Sequence, residues 1–217
     1  MLTRDHVPPR SLFAPDTRAL LPTVPSCAEC NSGASKDDEY FRAMMVMRDD
    51  VTECADARFA GAEFLRALQR RDHVGLRNAT LRNVVKARKY SESGLYLGLR
   101  DAYNVNPRRL DRVVRRIVRG LYWHEVGGRL PLDYTVAVFT SDRLDGNLIA
   151  AAGLMRMAEF AASGTRVTFP GKSFEYAFRR ASDNPNGSAW LMTFYGRVHF
   201  VALTLERTRA RFDHDAA

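Results

Sequence analysis

Residues 106 to 125 read Asn-Pro-Arg-Arg-Leu-Asp-Arg-Val-Val-Arg-Arg-Ile-Val-Arg-Gly-Leu-Tyr-Trp-His-Glu, and this run constrains the fold more than any other. Leu110, Val113, Val114, Ile117, Val118, Leu121 and Tyr122 recur at helical spacing and form a continuous apolar stripe. The stripe predicts a long helix that must lie against another apolar surface. Asn106 is a fitting cap and Pro107 a fitting first helical residue, because the amide it lacks would have no partner there. Arg108, Arg112, Arg115 and Arg119 follow one edge, with Arg109 and Arg116 beside them and only Asp111 of opposite sign nearby. Such an edge is either simply solvated or contacts a polyanion such as nucleic acid. His124 reads as a helix-end cation or packing residue rather than a ligand.

The surface that this helix needs is legible farther along the chain. Residues 134–139 are strand-like, residues 144–162 are rich in Leu, Ile, Met and Ala and predict a helix that stops before Gly164, and residues 167–169, 174–178, 189–195 and 198–205 carry the β-branched and aromatic content of strands. Residues 183–188 and 195–197 supply the turns. An antiparallel meander packed by the long helices is the simplest arrangement. Tyr176, Trp190, Phe194, Tyr195, His199 and Phe200 offer stacking surface for unpaired bases, although alternation turns about half of them into the core. A helix over 53–69, with Phe59, Phe64, Leu65 and Leu68 inward, and a basic strand or loop over 84–94 complete the middle of the chain.

Chemistry-bearing residues gather at the other end. Residues 3–11 read Thr-Arg-Asp-His-Val-Pro-Pro-Arg-Ser, and residues 24–38 read Val-Pro-Ser-Cys-Ala-Glu-Cys-Asn-Ser-Gly-Ala-Ser-Lys-Asp-Asp. Leu2 to Val7 predicts a short strand stopped by Pro8-Pro9, since a proline pair removes two amide donors and restricts the residue before it. Leu20 to Val24 predicts a second strand that pairs back, and a helix begins at Asn31 or Ser32, with Ser35 and Asp38 fitting a capping pattern. His6 is the basic group of this segment that exchanges a proton near neutral pH. Asp5 supplies a carboxylate oxygen and Asn31 a carbonyl oxygen, the hard donors that magnesium or manganese accepts.

An Asp-His pair followed by an asparagine directly after Cys-x-x-Cys resembles the HNH endonuclease family. The resemblance covers about the first fifty residues. It implies a strand-strand-helix metal fold in which His6 is the general base, Asp5 binds the catalytic metal, and Asn31 binds metal or orients the base. Asp38 or Glu39 falls in the region of the family's third, helix-borne position, and Asp38 is the candidate metal ligand there. The implied reaction is hydrolysis of a nucleic-acid phosphodiester, DNA before RNA, with Mg2+ or Mn2+ as cofactor. The rival reading is a noncatalytic nucleic-acid-binding protein that keeps the motif residues on a degenerate HNH fold.

Many members of that family hold the motif together with zinc on two Cys-x-x-Cys pairs, the first lying before the Asp-His strand. Cys27 and Cys30 are half of such a site. Cys54 does not replace the other half by its spacing. Zinc is absent, or another ligand is recruited, or the natural chain starts upstream of Met1, and these alternatives stand open.

Charge divides the sequence in the same place as the resemblance does. Residues 1 to 50 hold six Lys or Arg against eight Asp or Glu, whereas residues 66 to 120 hold fifteen against four, within a chain of 217 residues and formal net charge +8. An acidic cleft beside a basic neighbour suits a nuclease, whose metal ligands are anionic while another region holds phosphate. The expected organisation is therefore α+β: an HNH-like ββα-metal domain over 1–50, then a basic domain of amphipathic helices and antiparallel sheet over 51–217. An apolar run long enough for a membrane span is lacking, Arg4, Asp5 and His6 stand where a secretory signal needs apolar residues, and three cysteines suit no disulfide framework. A cytoplasmic protein without membrane partners is expected.

Overall fold

Five antiparallel strands in the order β5-β9-β8-β7-β6 form the sheet on which the rest of the chain is built: β5 (Tyr134–Phe139), β6 (Thr165–Thr168), β7 (Phe174–Arg180), β8 (Ser188–Phe194) and β9 (Val198–Glu206). The computed structural model describes residues 2–71, 74–91, 93–140 and 147–207. β6 to β9 run as a meander, and β5 closes the far edge against β9 with Tyr134 opposite Glu206. Alternation gives the sheet two unlike faces. Tyr176, Phe178, Trp190, Met192, Phe194 and Phe200 are all buried in one aromatic layer, in which Phe178 stacks on Trp190 at 4.7 Å. Helix α6 (Leu148–Ala162), capped by Asn147, packs on β7, β8 and β9 from the other side.

The arginine-rich run is helix α5 (Pro107–Val126), and it covers the aromatic layer as its stripe requires. Val113, Val114, Ile117, Val118, Leu121 and Tyr122 are buried in the same cluster as the sheet side chains. Asn106 caps the helix by accepting from the Arg109 amide at 3.3 Å, and Gly127, at φ +76°, ends it in the left-handed conformation that costs glycine little.

Before α5 come β1 (Leu2–His6), the short helix α1 (Pro15–Arg18), β2 (Thr23–Cys27), α2 (Ala28–Val46), α3 (Ala55–Gln69), α4 (Val74–Arg82) and an antiparallel ribbon of β3 (Val84–Tyr90) and β4 (Tyr96–Tyr103). The described residues thus form an α+β fold with three antiparallel sheets. Val7, Leu12, Phe13, Leu21, Phe41 and Met45 share one buried cluster with α5 and the five-stranded sheet, so residues on both sides of position 50 contribute to a common core.

Several boundaries differ from the sequence expectation for local reasons. The second strand starts at Thr23 rather than Leu20, because the Leu20 and Leu21 amides bond back to Thr17 and Arg18 and close α1. Helix α2 begins at Ala28, so Ser32 and Ser35 lie inside it and donate to the carbonyls of Glu29 and Ser32 at 3.2 and 2.8 Å instead of capping. The start of the helix predicted from residue 144 falls partly outside the described residues, and its described part begins at Leu148. The stacking role considered for the C-terminal aromatics is overturned by burial. Tyr176, Trp190, Phe194, Tyr195 and Phe200 are at most 4 % exposed, and among the six only His199 reaches solvent.

The approach of α5 to β1 depends on one small residue. A Cβ added at Gly120 would sit 2.5 Å from Cγ2 of Val7, closer than real contacts allow. Gly120→Ala is expected to destabilise the protein by about 1–3 kcal/mol through overpacking, against a helix-propensity gain of about 1 kcal/mol. Urea denaturation of Gly120→Ala, Val7→Ala and the double variant checks this: the two changes must couple, and simple additivity would rule out the contact as the cause.

Candidate active site

β1 and β2 pair antiparallel with Thr3 opposite Ser26, Asp5 opposite Val24 and His6 opposite Thr23, and α2 follows β2 without a break. Pro25 is tolerated because the ribbon has only two strands, so an amide can be spared on the outer side. Alternation along β1 puts Thr3 and Asp5 on one face and Arg4 and His6 on the other. The first face meets α2 and α5. Asn31 Nδ2 lies 3.4 Å from Thr3 Oγ1, a long contact, while the Thr3 hydroxyl donates to the Ser26 carbonyl at 3.0 Å.

Two turns farther along α2, Asp37 and Asp38 face the arginines of α5. Asp37 accepts from Arg109 Nε at 2.8 Å and Arg112 Nε at 2.7 Å, and these guanidinium groups hold its carboxyl below the ordinary carboxylate range. Tyr40 reinforces the junction: its ring lies under the Arg109 guanidinium at 4.1 Å, and its hydroxyl accepts from the Asn106 amide at 2.6 Å. Asp38 pairs with Arg116, whose Nε is also 3.8 Å from Asp5 Oδ2. Burial pushes the Asp38 carboxyl up, Arg116 opposes that shift, and the neighbouring Asp5 and Asp37 charges add to it. Asp5 and Asp38, from a strand end and a helix, therefore converge on one guanidinium.

His6 ends β1 on the opposite side of the strand from Asp5 and is half-buried, and among the described residues its ring makes no hydrogen bond or ion pair. The loop after it is firmly anchored. The buried Asp56 of α3 accepts from the Ala14 amide at 2.6 Å and the Thr17 hydroxyl at 2.8 Å, and Tyr195 donates to the Leu12 carbonyl at 2.8 Å. A proton-exchanging ring left unpaired at the end of a fixed strand is available to a ligand.

The motif residues are brought together in part. Asp5 and Asp38 share a site, His6 adjoins it in sequence on the other face, and Asn31 lies beside Thr3 rather than beside the acid pair. Cys27 is exposed at the end of β2, Cys54 is free and buried elsewhere, and the Cys30 side chain lies outside the described residues. Of the basic edge of α5, Arg112 is engaged by Asp37, Arg108 and Arg115 are exposed, and Arg119 is half-buried. Asp37 and Arg116 were not legible as site residues from the motif. The signal that finds them is the tandem Asp37-Asp38 on one helix matched to arginines spaced three and four apart on another.

Two carboxylates turned toward one cationic group have the charge and donor hardness that a divalent ion requires, and Asp5 and Asp38 would hold Mg2+ or Mn2+. Among the described residues, no group of three or more His, Cys, Asp or Glu side chains converges on a common point that could hold a metal. A cation there would find two protein donors, would need substrate and water for the rest, and would have to displace Arg116. Among the described residues no helix is long and apolar enough to cross a membrane. In comparisons with known proteins, the chain matches no family model, no curated protein and no solved structure.

Proposed function

We propose that this chain is a metal-dependent endonuclease of the HNH type that hydrolyses phosphodiester bonds of nucleic acid, with DNA as the first substrate to test. The observation that carries the reading is the convergence of Asp5 and Asp38 from a strand and the following helix, next to an unpaired His6 at the strand end. Binding alone makes no demand for a paired acid site beside a free imidazole. We also infer a cytoplasmic setting from the odd number of cysteines, of which Cys54 is buried and free.

In this reading His6 takes the proton from the attacking water as general base. Asp5 and Asp38 would hold a divalent cation, which would supply neutralisation of charge on the phosphate and on the departing oxygen. Asn31 steadies the first turn of α2 against β1 through Thr3. Asp37, Arg109 and Tyr40 fix the angle between α2 and α5, so that Asp38 stays level with Asp5.

The second reading, a noncatalytic nucleic-acid-binding protein, is favoured by one specific observation: Arg116 already neutralises the acid pair. Supercoiled-plasmid cleavage in Mg2+, Mn2+ or EDTA separates the two. Nicking that requires metal is expected to fall at least about a hundredfold in His6→Ala, the scale of a lost general base. Equal nicking by both proteins, or DNA binding without cleavage in either, would sink the nuclease reading.

A further inference from the structure

Three separate segments bring arginines to the far edge of α5. Arg115 and Arg119 stand one helical turn apart. Past the Gly127 cap the chain turns back, carrying Arg129 and then Asp133, whose carbonyl accepts from the Arg207 amide at 2.7 Å where β5 and β9 end together. α5 packs directly on β5 and β9, so Arg207 and Arg129 return to the flank that bears Arg119. Among the described residues none of these four side chains is paired with a carboxylate, in contrast to Arg109, Arg112 and Arg116 on the neighbouring edge. Arg119 is half-buried, and burial together with the charges of Arg207, Arg129 and Arg115 pulls its basicity down. Gathering like charges around a partly desolvated cation is unfavourable without an anion.

An aromatic side chain completes the edge. Trp123 follows Arg119 by one further turn and is 39 % exposed. The second tryptophan of the chain, Trp190, is fully buried. The helix that carries Arg115 and Arg119 also touches the candidate active site. Arg116 reaches Asp5 and Gly120 abuts Val7 from this helix, whereas His6, between them in sequence, faces the other side of the strand.

We infer that Arg115, Arg119, Arg129 and Arg207 form a phosphate-binding cluster, with Trp123 as a stacking platform, that holds single-stranded nucleic acid along the helix whose Arg116 reaches Asp5. This rests on the nucleic-acid part of the function proposed above and adds the strand state of the substrate. Phosphate supplies the missing anion, and a base can use the exposed indole only if it is unpaired. A duplex offers the arginines its backbone but leaves Trp123 without a base face.

The test is binding in EDTA, where no metal-dependent cleavage intervenes. A fluorescein-labelled oligo-dT of about 12 nucleotides, a single-strand site length, is titrated with the full chain and followed by anisotropy and by tryptophan emission. Arg119→Gln is expected to weaken binding about tenfold and to flatten the salt dependence by about one unit of slope. Arg66→Gln on α3, which removes the same charge elsewhere, should leave both nearly unchanged. The oligonucleotide should quench the emission of Trp123, and heparin, a polyanion without bases, should bind without quenching. Trp123→Leu should lose the quenching and weaken oligo-dT about tenfold while leaving heparin affinity intact.

Arg119→Gln should melt no lower than wild type, because it relieves repulsion, which separates lost binding from lost folding. Equal binding by Arg119→Gln and Arg66→Gln, or binding of oligo-dT without quenching, or duplex bound as tightly as single strand, overturns the inference. Failure here leaves His6- and metal-dependent nicking untouched as a result. Conversely, this binding pattern in a protein that never cleaves removes the nuclease and keeps the cluster.

Discussion

Arg116→Met is expected to raise the affinity of the Asp5–Asp38 pair for Mn2+ by at least about tenfold, the scale of one removed competing ion pair. In the wild-type protein an entering cation has to displace a guanidinium that already serves both carboxylates. Without it, two partly buried negative charges face each other, and the metal-free variant should lose about 1–2 kcal/mol, less than a fully buried pair because all three side chains retain some solvent. The pH dependence has a definite sign. Burial raises the Asp38 carboxyl and Arg116 holds it down, so the substitution raises it further. A carboxyl raised on folding binds its proton more tightly in the native state than in the unfolded one. Stability then falls as pH rises from the ordinary carboxylate value through the raised one. The variant should therefore melt higher in mild acid than at neutral pH, and Mn2+ should restore the loss at neutral pH. Melting curves with and without Mn2+ at both pH values decide it. A variant indifferent to Mn2+ would mean that Asp5 and Asp38 are not a cation site.

Asp37 acts in the opposite sense one residue away. Its carboxyl is held down by Arg112 and Arg109, so its contribution is present above the ordinary carboxylate range and is lost as pH falls through its lowered value. Neighbouring acids on α2 therefore push stability in different directions in acid. Asp37→Asn should remove the acid-side loss that belongs to Asp37 and leave the behaviour of Asp38 in place.

The larger stability effect is expected at Phe41. This ring is fully buried and meets Phe194 at 5.7 Å and Phe200 at 5.8 Å, so it ties α2 to the two central strands. Phe41→Ala should cost about 3–5 kcal/mol, because it removes the transfer energy of the ring and leaves a cavity between a helix and a sheet that are each held by other contacts. Phe41→Leu should cost clearly less, since most of the volume is kept. Urea denaturation measures both. A Phe41→Ala variant within about 1 kcal/mol of wild type would show that α2 is held chiefly by its polar junction with α5.

Elements were readable in the sequence wherever a local rule and the tertiary demand agreed. Asn106, Pro107 and the stripe from Leu110 to Tyr122 define α5 by cap, first residue and period, and the same helix then covers the sheet. β8 and β9 were likewise readable from their aromatic and β-branched content, which the large aromatic layer on one face and α6 on the other both bury. The start of α2 was obscured because Cys27 to Ser35 lacks a strong periodic signal, and its serines, which often cap, bond backward instead. At the candidate site, Asp5 and His6 were legible as chemistry, but the occupant of the acid pair was not. Arg116 sits 111 residues from Asp5 and belongs to an edge whose six arginines look equivalent in sequence. Only the packing of α5 sorts them into those that meet acids and those that do not.

Helix α2 carries two kinds of information on one rigid rod. Its middle presents Asp37 and Asp38 to α5, and the next turn drives Phe41 and Met45 into the core. An inserted residue between Asp38 and Phe41 would rotate one set against the other by about 100° and shift it by about 1.5 Å. No side-chain substitution could restore that phase. The spacing between these acids and the aromatic anchor is thus a stricter requirement than the identity of most residues between them, and a length change there separates folding from the acid pair more cleanly than any point variant.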